Sequence, residues 1–262
     1  CAPHYGMTRQ ASEMPSGYVG IQQSDAEIVV LKSMARPVCE ALVNGSLYEY
    51  ASRHPEARAY QGRGLVYGVQ LPNCAARVVI RRSRHGGFLR AITGERFLRG
   101  TRAPRELAAS VRLTRAGVPT PQIIAYVTYP AGGPFRRADV VTREVVGASD
   151  LGALLTNELK AVVKDGLLRE VGSLLVKLTQ VGAHHPDLNV KNILMVSGES
   201  DAREAWLLDV DRVWFDEPGD RRVGAANVRR LTRSLRKWRQ SHGISVDESD
   251  IARLVSRVHG DS

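Results

Sequence analysis

The sequence HPDLNVKN at residues 185–192 and the short run DVD at residues 209–211 are the stretches that decide the fold. Asp187 and Asn192 lie five positions apart. On a tight loop, this spacing lets the Asp meet an acceptor hydroxyl while the Asn amide oxygen ligates Mg²⁺. The carboxylate of Asp209 completes such a metal site. The pattern therefore predicts a phosphoryl-transfer centre with Asp187, Asn192 and Asp209 as its catalytic residues.

The chain between Asn192 and Asp209 has the pattern of a β-hairpin. Two short apolar runs, ILMV at 193–196 and AWLL at 205–208, flank the turn-forming run SGESD. A hairpin here would bring Asn192 and Asp209 together. Asp and Asn also cap turns in many loops, but capping alone does not explain the whole array. We therefore favour the catalytic interpretation.

The adjacent pair His184 and His185 also raises the question of a zinc site. Adjacent side chains diverge, and Cys1, Cys39 and Cys74 show no ligand spacing. We expect His185 instead to orient the catalytic loop through hydrogen bonds.

Glycines precede a second predicted hairpin near the start of the chain. Gly62 and Gly64 lead into the strand LVYGVQ at 65–70, and the chain returns as RVVIR at 77–81. A glycine-rich hairpin can lay its backbone over nucleotide phosphates because side chains do not prevent close approach. A kinase lid would carry a third glycine at Tyr67, which either contacts the nucleotide or packs.

Arg81 ends this strand at the place where a kinase carries the lysine that pairs with phosphates and with a helix glutamate. A guanidinium keeps its charge and clamps phosphate bidentately, although its reach differs from that of an ammonium group. A helix is predicted to begin at Ala103 and to stop at Gly117. Glu106, in its first turn, is the candidate partner of Arg81.

Glu144 to Val146 is the predicted hinge, where backbone groups would bind adenine. Gly147, together with the cap-like Ser149 and Asp150, marks an exit from strand to helix. Apolar positions at helical spacing predict a core helix over 157–181. The expected organisation is a poorly defined extension over 1–40, an N-lobe over 41–147 and a C-lobe over 148–262.

Taken together, these motifs resemble the lipopolysaccharide kinase family. The resemblance extends over about residues 60–239 and rests on six segments: GRG at 62, VVIRRSRHGG at 78, RELAASVRLTRAGVPTP at 105, DLNVKNIL at 187, WLLDVDR at 206 and NVRRLTRSLRK at 227. As in that family, an Arg replaces the strand lysine at Arg81, and Asn189 follows Asp187 by two residues. Pro186 stands where the family has a small residue, which stiffens the loop.

The resemblance implies an α+β, bilobal, protein-kinase-like fold with a β-rich N-lobe and a mainly helical C-lobe. It also implies transfer of the γ-phosphoryl of ATP, with Mg²⁺, to the 4-hydroxyl of 3-deoxy-D-manno-octulosonic acid (Kdo) on a lipid A precursor. Asp187 would take the hydroxyl proton, and Asn192 and Asp209 would hold Mg²⁺, with Asp211 adding a metal contact or bracing the loop. Lys191 and Arg212 either meet the acceptor carboxylate or are solvated charges.

Length and charge agree with an enzyme that meets an anionic partner. The chain has a net charge of +10. Its 262 residues are enough for one domain or two lobes. Part of that charge lies on a predicted amphipathic helix over 227–240, which would either pack its apolar stripe inward or lie against anionic lipid. We expect a peripheral protein at the cytoplasmic face of the bacterial inner membrane, bound to its anionic surface, and no nucleic acid partner.

Three alternatives remain at this stage. A related phosphotransferase acting on heptose, choline or an aminoglycoside would keep the same catalytic residues but change the acceptor pocket. A nucleotide-binding pseudokinase would keep the fold without turnover, and a basic nucleic-acid-binding module would not need the metal residues. Protein kinases are disfavoured because the chain after Asp211 lacks Ala-Pro-Glu and has no room for a peptide-docking segment.

Overall fold

The structure is a computed structural model that describes residues 14–61, 64–83, 97–98, 101–197 and 203–260. It divides into two compact units. Unit 1 holds the residues up to 108 together with 122–144, and unit 2 holds 109–121 together with the residues from 145 onwards. Both β-sheet and helix are present, as the predicted α+β class requires.

Unit 1 is built on one antiparallel sheet. In the described part of the chain it has eight strands in the order β1-β2-β7-β8-β5-β4-β3, with β6 paired to β8. The strands are β1 (Tyr18–Gln23), β2 (Ala26–Leu31), β3 (Arg58–Gln61), β4 (Leu65–Gln70), β5 (Arg77–Arg82), β6 (Phe97–Leu98), β7 (Ile123–Pro130) and β8 (Phe135–Arg143). Helices α1 (Ala35–Ala41) and α2 (Leu47–Arg53) belong to the same unit, and α3 (Ala103–Arg115) begins in it.

The core of unit 1 joins the sheet to α1 and α2. Val30 of β2, Val38 of α1, Leu47 of α2, Val78 of β5 and Val127 of β7 are all fully buried in one cluster. Alternation along the strands places such β-branched residues on the covered face. Each fully buried side chain of this kind contributes about 1.5–3 kcal/mol relative to exposure.

The start of the chain differs from the expected extension over 1–40. From Tyr18 onwards it forms β1, β2 and α1, and β2 pairs with β7 inside the main sheet. Strand β1 is a sheet edge, and most of its side chains are only half-buried. An edge strand of this kind shows little hydrophobic periodicity, which is why the pattern of residues 14–23 did not reveal it.

Unit 2 is mainly helical. Its helices are α4 (Leu151–Leu155), α5 (Ala161–Gln180), α6 (Arg221–His242) and α7 (Glu248–Gly260). Its strands are β9 (Ala148–Asp150), β10 (Ala183–His184), β11 (Ile193–Ser197), β12 (Arg203–Leu207) and β13 (Trp214–Phe215), which form the sheets β12-β11-β9 and β10-β13. Leu174 and Leu178 of α5 pack in one core with Leu231 and Leu235 of α6 and Leu254 of α7.

The boundary between the units falls slightly before the expected position. Strand β8 ends at Arg143, and the chain passes from unit 1 to unit 2 after Glu144 rather than after Gly147. Val146 is 78% exposed, and Gly147 has a positive φ of 73° that favours glycine. Residues 144–147 therefore form a short segment outside the strand.

None of the helices in the described ranges is both long enough and apolar enough to cross a membrane.

Candidate active site

The catalytic loop of unit 2 runs from β10 to β11 and includes a short 3-10 turn, Val190–Asn192. Two side-chain amides hold the backbone carbonyl of Asp187: the Nδ2 atoms of Asn189 and Asn192 both donate to it at 2.8 Å. Asn189 also accepts the N–H of Lys191 through Oδ1 at 2.9 Å. The side-chain nitrogen of Asn192 therefore donates its hydrogen bond within the loop, and the side-chain oxygen is the atom that can bind a cation.

The β11–β12 hairpin is present as the sequence indicated. Ile193 pairs with Leu207 in the antiparallel register, and the N–H of Leu208 donates to the carbonyl of Asn192 at 2.9 Å. Asp209 follows directly, so the hairpin brings its backbone next to Asn192. Asp209 has left-handed backbone angles, φ 58° and ψ 51°, a conformation that Asp and Asn tolerate better than most residues.

Asp211 and Arg212 lie in the 3-10 turn, Val210–Arg212, that follows Asp209. In the described ranges, no group of three or more His, Cys, Asp or Glu side chains could hold a metal ion. A magnesium site on Asn192, Asp209 and Asp211 differs from such a group because one ligand is an amide. Mg²⁺ also binds several waters and the phosphate oxygens of a nucleotide. Three oxygen donors from the protein are therefore a suitable number of ligands.

His185 ties the catalytic loop to the hairpin. Its buried ring donates from Nε2 to the carbonyl of Leu208 at 3.0 Å and accepts the N–H of Asp187 at Nδ1, 3.3 Å away. Burial lowers the pKa of His185, against the opposing pull of Asp209 and Asp211. The neutral ring therefore links the backbone on either side of the site, in the bracing role that the sequence indicated.

Helix α6 holds the loop through residues that sequence reasoning missed. Asn227 is fully buried; its Oδ1 accepts the N–H of His185 at 3.1 Å and its Nδ2 donates to the carbonyl of Ala183 at 2.9 Å. The Oγ of Ser234 accepts the N–H of Val190 at 3.3 Å. Asn227 and Ser234 are seven residues apart, which places them on one helix face. The seven-residue spacing was the available signal in the sequence. However, polar residues on a basic helix are ordinarily interpreted as solvent-exposed.

Arg230 lies between them and makes a third set of contacts. Its Nε donates to the carbonyl of Pro186 at 2.9 Å, and its Nη1 donates to Nε2 of His184 at 3.1 Å. The ring of His184 packs on that of Trp214 with centroids 3.8 Å apart. Arg230 thereby fixes the residue immediately before Asp187.

The His184 contact predicts a dependence of stability on pH. Burial and the positive charge of Arg230 lower the pKa of His184, so the fold favours its neutral form. The corresponding stability is present above the unfolded-state pKa of about 6.5 and is lost as pH falls through the lower folded-state pKa. We expect the free energy of unfolding to fall as the pH drops below about 6.5, and to fall less in His184→Gln. Denaturant unfolding at a series of pH values measures this free energy. An equal decrease with falling pH in wild type and in His184→Gln would contradict the prediction.

The basic helix packs its apolar stripe into unit 2. Val228, Leu231 and Leu235 are buried, and Trp238 is half-buried against the same core. The helix begins at Arg221, earlier than residue 227, after an Asp220 cap that accepts the N–H of Arg222. Of the two roles left open for this stripe, the structure gives it the core-packing one, so the stripe does not face lipid.

In unit 1, Arg81 and Glu106 form an ion pair between Nη2 and Oε1. Arg81 lies on β5 and Glu106 lies in the first turn of α3, as the sequence indicated. The Glu106 side chain is 6% exposed and that of Arg81 is 28% exposed. A buried carboxylate needs such a partner, and the pair holds the guanidinium at the end of the strand.

We predict that Arg81 and Glu106 act as a unit. Arg81→Gln and Glu106→Gln should each raise the KM for ATP, and the double variant should lose less than the sum of the single losses. The coupling is expected at about 0.5–3 kcal/mol, the range for residues in direct contact. Steady-state kinetics of the wild type, the two single variants and the double variant measure this coupling energy. Full activity in both single variants would eliminate the pair from the nucleotide site.

The Glu144 side chain is held inside unit 1. The Nε of Arg77 donates to its Oε2 at 2.6 Å, and the hydroxyl of Tyr60 donates to its Oε1. Gly68 lies beneath this group, because a Cβ there would stand 2.7 Å from the Tyr60 ring and 3.0 Å from Glu144. Glu144 therefore has a fixed place directly after β8, and because its N–H donates to the carbonyl of Arg77 at 3.1 Å, only its backbone carbonyl remains for the predicted adenine contact.

The glycine lid is described only in part. Gly62 lies outside the described residues, and Gly64 stands directly before β4. Tyr67 of β4 pairs with Ile80 and meets the ring of Tyr48 edge-on at 5.3 Å. Tyr67 thus packs in unit 1, which is one of the two roles that the sequence left open for it.

The comparisons with known proteins agree with this geometry. The model of the lipopolysaccharide kinase (Kdo/WaaP) family matches residues 54–257. A 3-deoxy-D-manno-octulosonic acid kinase of Actinobacillus succinogenes is 32% identical over 200 residues, covering 74% of this chain and 81% of the relative. One from Haemophilus influenzae strain KW20/Rd is 32% identical over 212 residues, covering 76% and 83%.

Among solved structures, one described as WaaP in complex with acyl carrier protein has a TM-score of 0.57 and 15% identity, covering 89% of this chain and 88% of that one. At that identity the match supports the kinase-like fold only. The family model spans most of the chain and contains the catalytic loop, the hairpin and the Arg81–Glu106 pair. This chain belongs to the lipopolysaccharide kinase (Kdo/WaaP) family.

Proposed function

We propose that this kinase transfers the γ-phosphoryl group of ATP to the 4-hydroxyl of Kdo on a lipid A precursor. The observation that carries the proposal is the hydrogen bond from Leu208 to the carbonyl of Asn192, which brings the backbone of Asp209 beside the catalytic loop. It supports a common reaction centre for Asp187, Asn192 and Asp209. The relatives whose names give Kdo kinase activity support the choice of acceptor.

Asp187 is the residue that we assign to the acceptor hydroxyl. Its carboxylate takes the hydroxyl proton while the hydroxyl oxygen bonds to the γ-phosphorus of ATP. The bond from that phosphorus to the β–γ bridging oxygen breaks, and ADP leaves. The hydrogen bonds that Asn189, Asn192 and His185 make to the Asp187 backbone support this role, because a base must be held in place to act.

Asn192, Asp209 and Asp211 would hold Mg²⁺. The donor types fit the ion, since the Nδ2 of Asn192 donates to the Asp187 carbonyl and Mg²⁺ is bound by amide and carboxylate oxygens. When bound, Mg²⁺ neutralises charge on the β- and γ-phosphates. Asn192 also joins the loop to the hairpin, because its carbonyl accepts the N–H of Leu208 and its Nδ2 donates to the Asp187 carbonyl.

The remaining nucleotide contacts are assigned to unit 1 and to the segment that follows it. Arg81, positioned by Glu106, would bind phosphate oxygens bidentately. The backbone at Gly64, and at Gly62 outside the described residues, would lie over the phosphates. Backbone groups of Glu144 to Val146 would bind adenine, with Glu144 held by Arg77 and Tyr60.

We place the reaction at the cytoplasmic face of the inner membrane, where an anionic surface and a glycolipid acceptor would attract a protein of net charge +10. Co-sedimentation with vesicles tests this placement. Binding should require anionic lipid and should weaken with salt. Equal binding to neutral vesicles would remove the electrostatic part of the proposal.

The acceptor is tested by label transfer from γ-labelled ATP with Mg²⁺ to two acceptors, Kdo–lipid A precursor and its heptosylated form. Label on the Kdo acceptor supports the proposal. Label only on the heptosylated acceptor would make this a heptose kinase. Transfer to neither acceptor, with ATP still bound, would overturn the proposal in favour of a pseudokinase or another acceptor class.

A further inference from the structure

The Arg and Lys residues between positions 229 and 239 of helix α6 fall into two groups according to their contacts. Arg230 is engaged with the catalytic loop at Pro186. Arg236 and Arg239 both pair with Glu248 at the start of α7, at 2.9 and 2.8 Å. These three side chains therefore have roles inside unit 2.

Arg229, Arg233 and Lys237 form the second group, called here the cationic row. All three are exposed, and none makes an ion pair or side-chain hydrogen bond with any residue in the described part of the chain. They follow one another at intervals of four residues, so they share one edge of the helix. With a rise of 1.5 Å per residue, the row extends over about 12 Å.

The cationic row borders the face of α6 that holds the catalytic loop. Arg233 lies three residues after Arg230, and Lys237 lies three residues after Ser234, so each is a surface neighbour of a loop-holding residue. Burial lowers the pKa of Arg230, and the nearby charges of Arg229 and Arg233 lower it further. The row therefore lies beside the loop that carries Asp187, within unit 2.

Like charges at intervals of four residues repel one another on a helix surface. The nearby Glu248 is taken by Arg236 and Arg239. Lys191 adds a further exposed cation from the loop itself, packed over the Trp238 ring at 5.5 Å. An external anion of matching extent would relieve this repulsion.

We propose that the cationic row binds the phosphate groups of the lipid portion of the acceptor while the acceptor sugar meets Asp187. The inference rests on the proposed function and deepens it by assigning residues to the acceptor. A row about 12 Å long suits an extended ligand that carries anions at a distance from the reacting hydroxyl, rather than one small anion. Arg and Lys are suited to phosphate, Arg by bidentate hydrogen bonds and Lys as a point charge.

The test is equilibrium binding, without ATP, of Kdo–lipid A precursor in neutral detergent micelles. The row variant carries Arg229→Gln, Arg233→Gln and Lys237→Gln. The matched control carries Lys32→Gln, Arg115→Gln and Lys160→Gln, three exposed cations elsewhere in the described chain. We expect Kd to rise on the order of 100-fold in the row variant and to stay unchanged in the control.

Two further arms sharpen the test. Acceptor from which the lipid phosphates have been removed should bind wild type and row variant alike. Arg229→Lys with Arg233→Lys should bind more tightly than the row variant and more weakly than wild type, because it keeps the charge and loses the bidentate hydrogen bonds. An unchanged Kd in the row variant, or an equal loss with dephosphorylated acceptor, would overturn the proposal. So would row-variant loss of binding to phosphatidylglycerol vesicles without loss in micelles, which would assign the row to membrane phospholipid.

Because this binding is measured without turnover, its outcome is separable from that of the proposed function. Failure of label transfer to Kdo with intact row-dependent binding would contradict the assigned reaction alone. Normal transfer with no row dependence would contradict the cationic row alone. Unchanged thermal unfolding of the row variant shows that the helix has kept its fold, since all three side chains are exposed.

Discussion

Replacing Asp187 with Asn should lower kcat for phosphoryl transfer by about 10²- to 10⁴-fold, the range expected when a general base is lost. The change is nearly isosteric. The substitution leaves intact three loop hydrogen bonds that use the backbone of this residue: the carbonyl accepts from Asn189 and Asn192, and the N–H donates to His185. ATP affinity and thermal stability should therefore change little. Steady-state kinetics, ATP binding and thermal unfolding of the variant measure the three effects.

Asp25→Asn is the matched control, because Asp25 is an exposed residue in the turn between β1 and β2. It removes the same charge by the same chemistry, far along the chain from the loop. Wild-type turnover in Asp25→Asn alongside a large loss in Asp187→Asn supports the assignment. If Asp187→Asn keeps kcat within about tenfold of this control, Asp187 is not the base.

Asp209→Asn should raise the Mg²⁺ concentration needed for half-maximal activity on the order of 10- to 100-fold and lower kcat at low Mg²⁺. Asn is the suitable replacement because the residue has left-handed backbone angles, which Asn adopts readily. A loss in this variant then reports the missing carboxylate charge rather than backbone strain. Initial rates over a Mg²⁺ titration at saturating ATP measure the shift.

Asp211→Asn provides the comparison within the same turn. Asp211 lies inside the 3-10 turn after Asp209, and we expect its Mg²⁺ dependence to shift less than that of Asp209→Asn. Equal shifts would mean that the two carboxylates contribute equally to Mg²⁺ binding. A Mg²⁺ dependence that is unchanged in Asp209→Asn would contradict the proposed metal site.

The hairpin and the Arg81–Glu106 pair were predictable because each depends on strong local signals. Apolar runs on either side of a turn-forming segment specify the β11–β12 pairing, and its register then brings Asp209 to Asn192. Similarly, Arg81 ends an apolar strand, and Glu106 lies in the first turn of a helix with clear start and stop residues. In both cases the neighbouring sequence specifies the strands or helix that carry the paired residues.

The contacts of α6 with the catalytic loop could not be predicted in the same way. Asn227 meets His185 across 42 residues of chain, and Arg230 meets Pro186 across 44. Such contacts follow from how the helix docks in unit 2, and local propensity does not encode docking. The sequence of the helix shows only a basic amphipathic pattern, which suits a buried helix and a membrane-surface helix equally well.

The attachment site of the phosphate in the product tests the central claim most directly. The measurement is NMR of the product formed from ATP and Kdo–lipid A precursor, with phosphorus-to-proton coupling used to locate the new phosphate. We expect one phosphate on the 4-hydroxyl of Kdo, formed by the wild-type protein and absent with Asp187→Asn. A phosphate on any other hydroxyl, or the same product with Asp187→Asn, would contradict it.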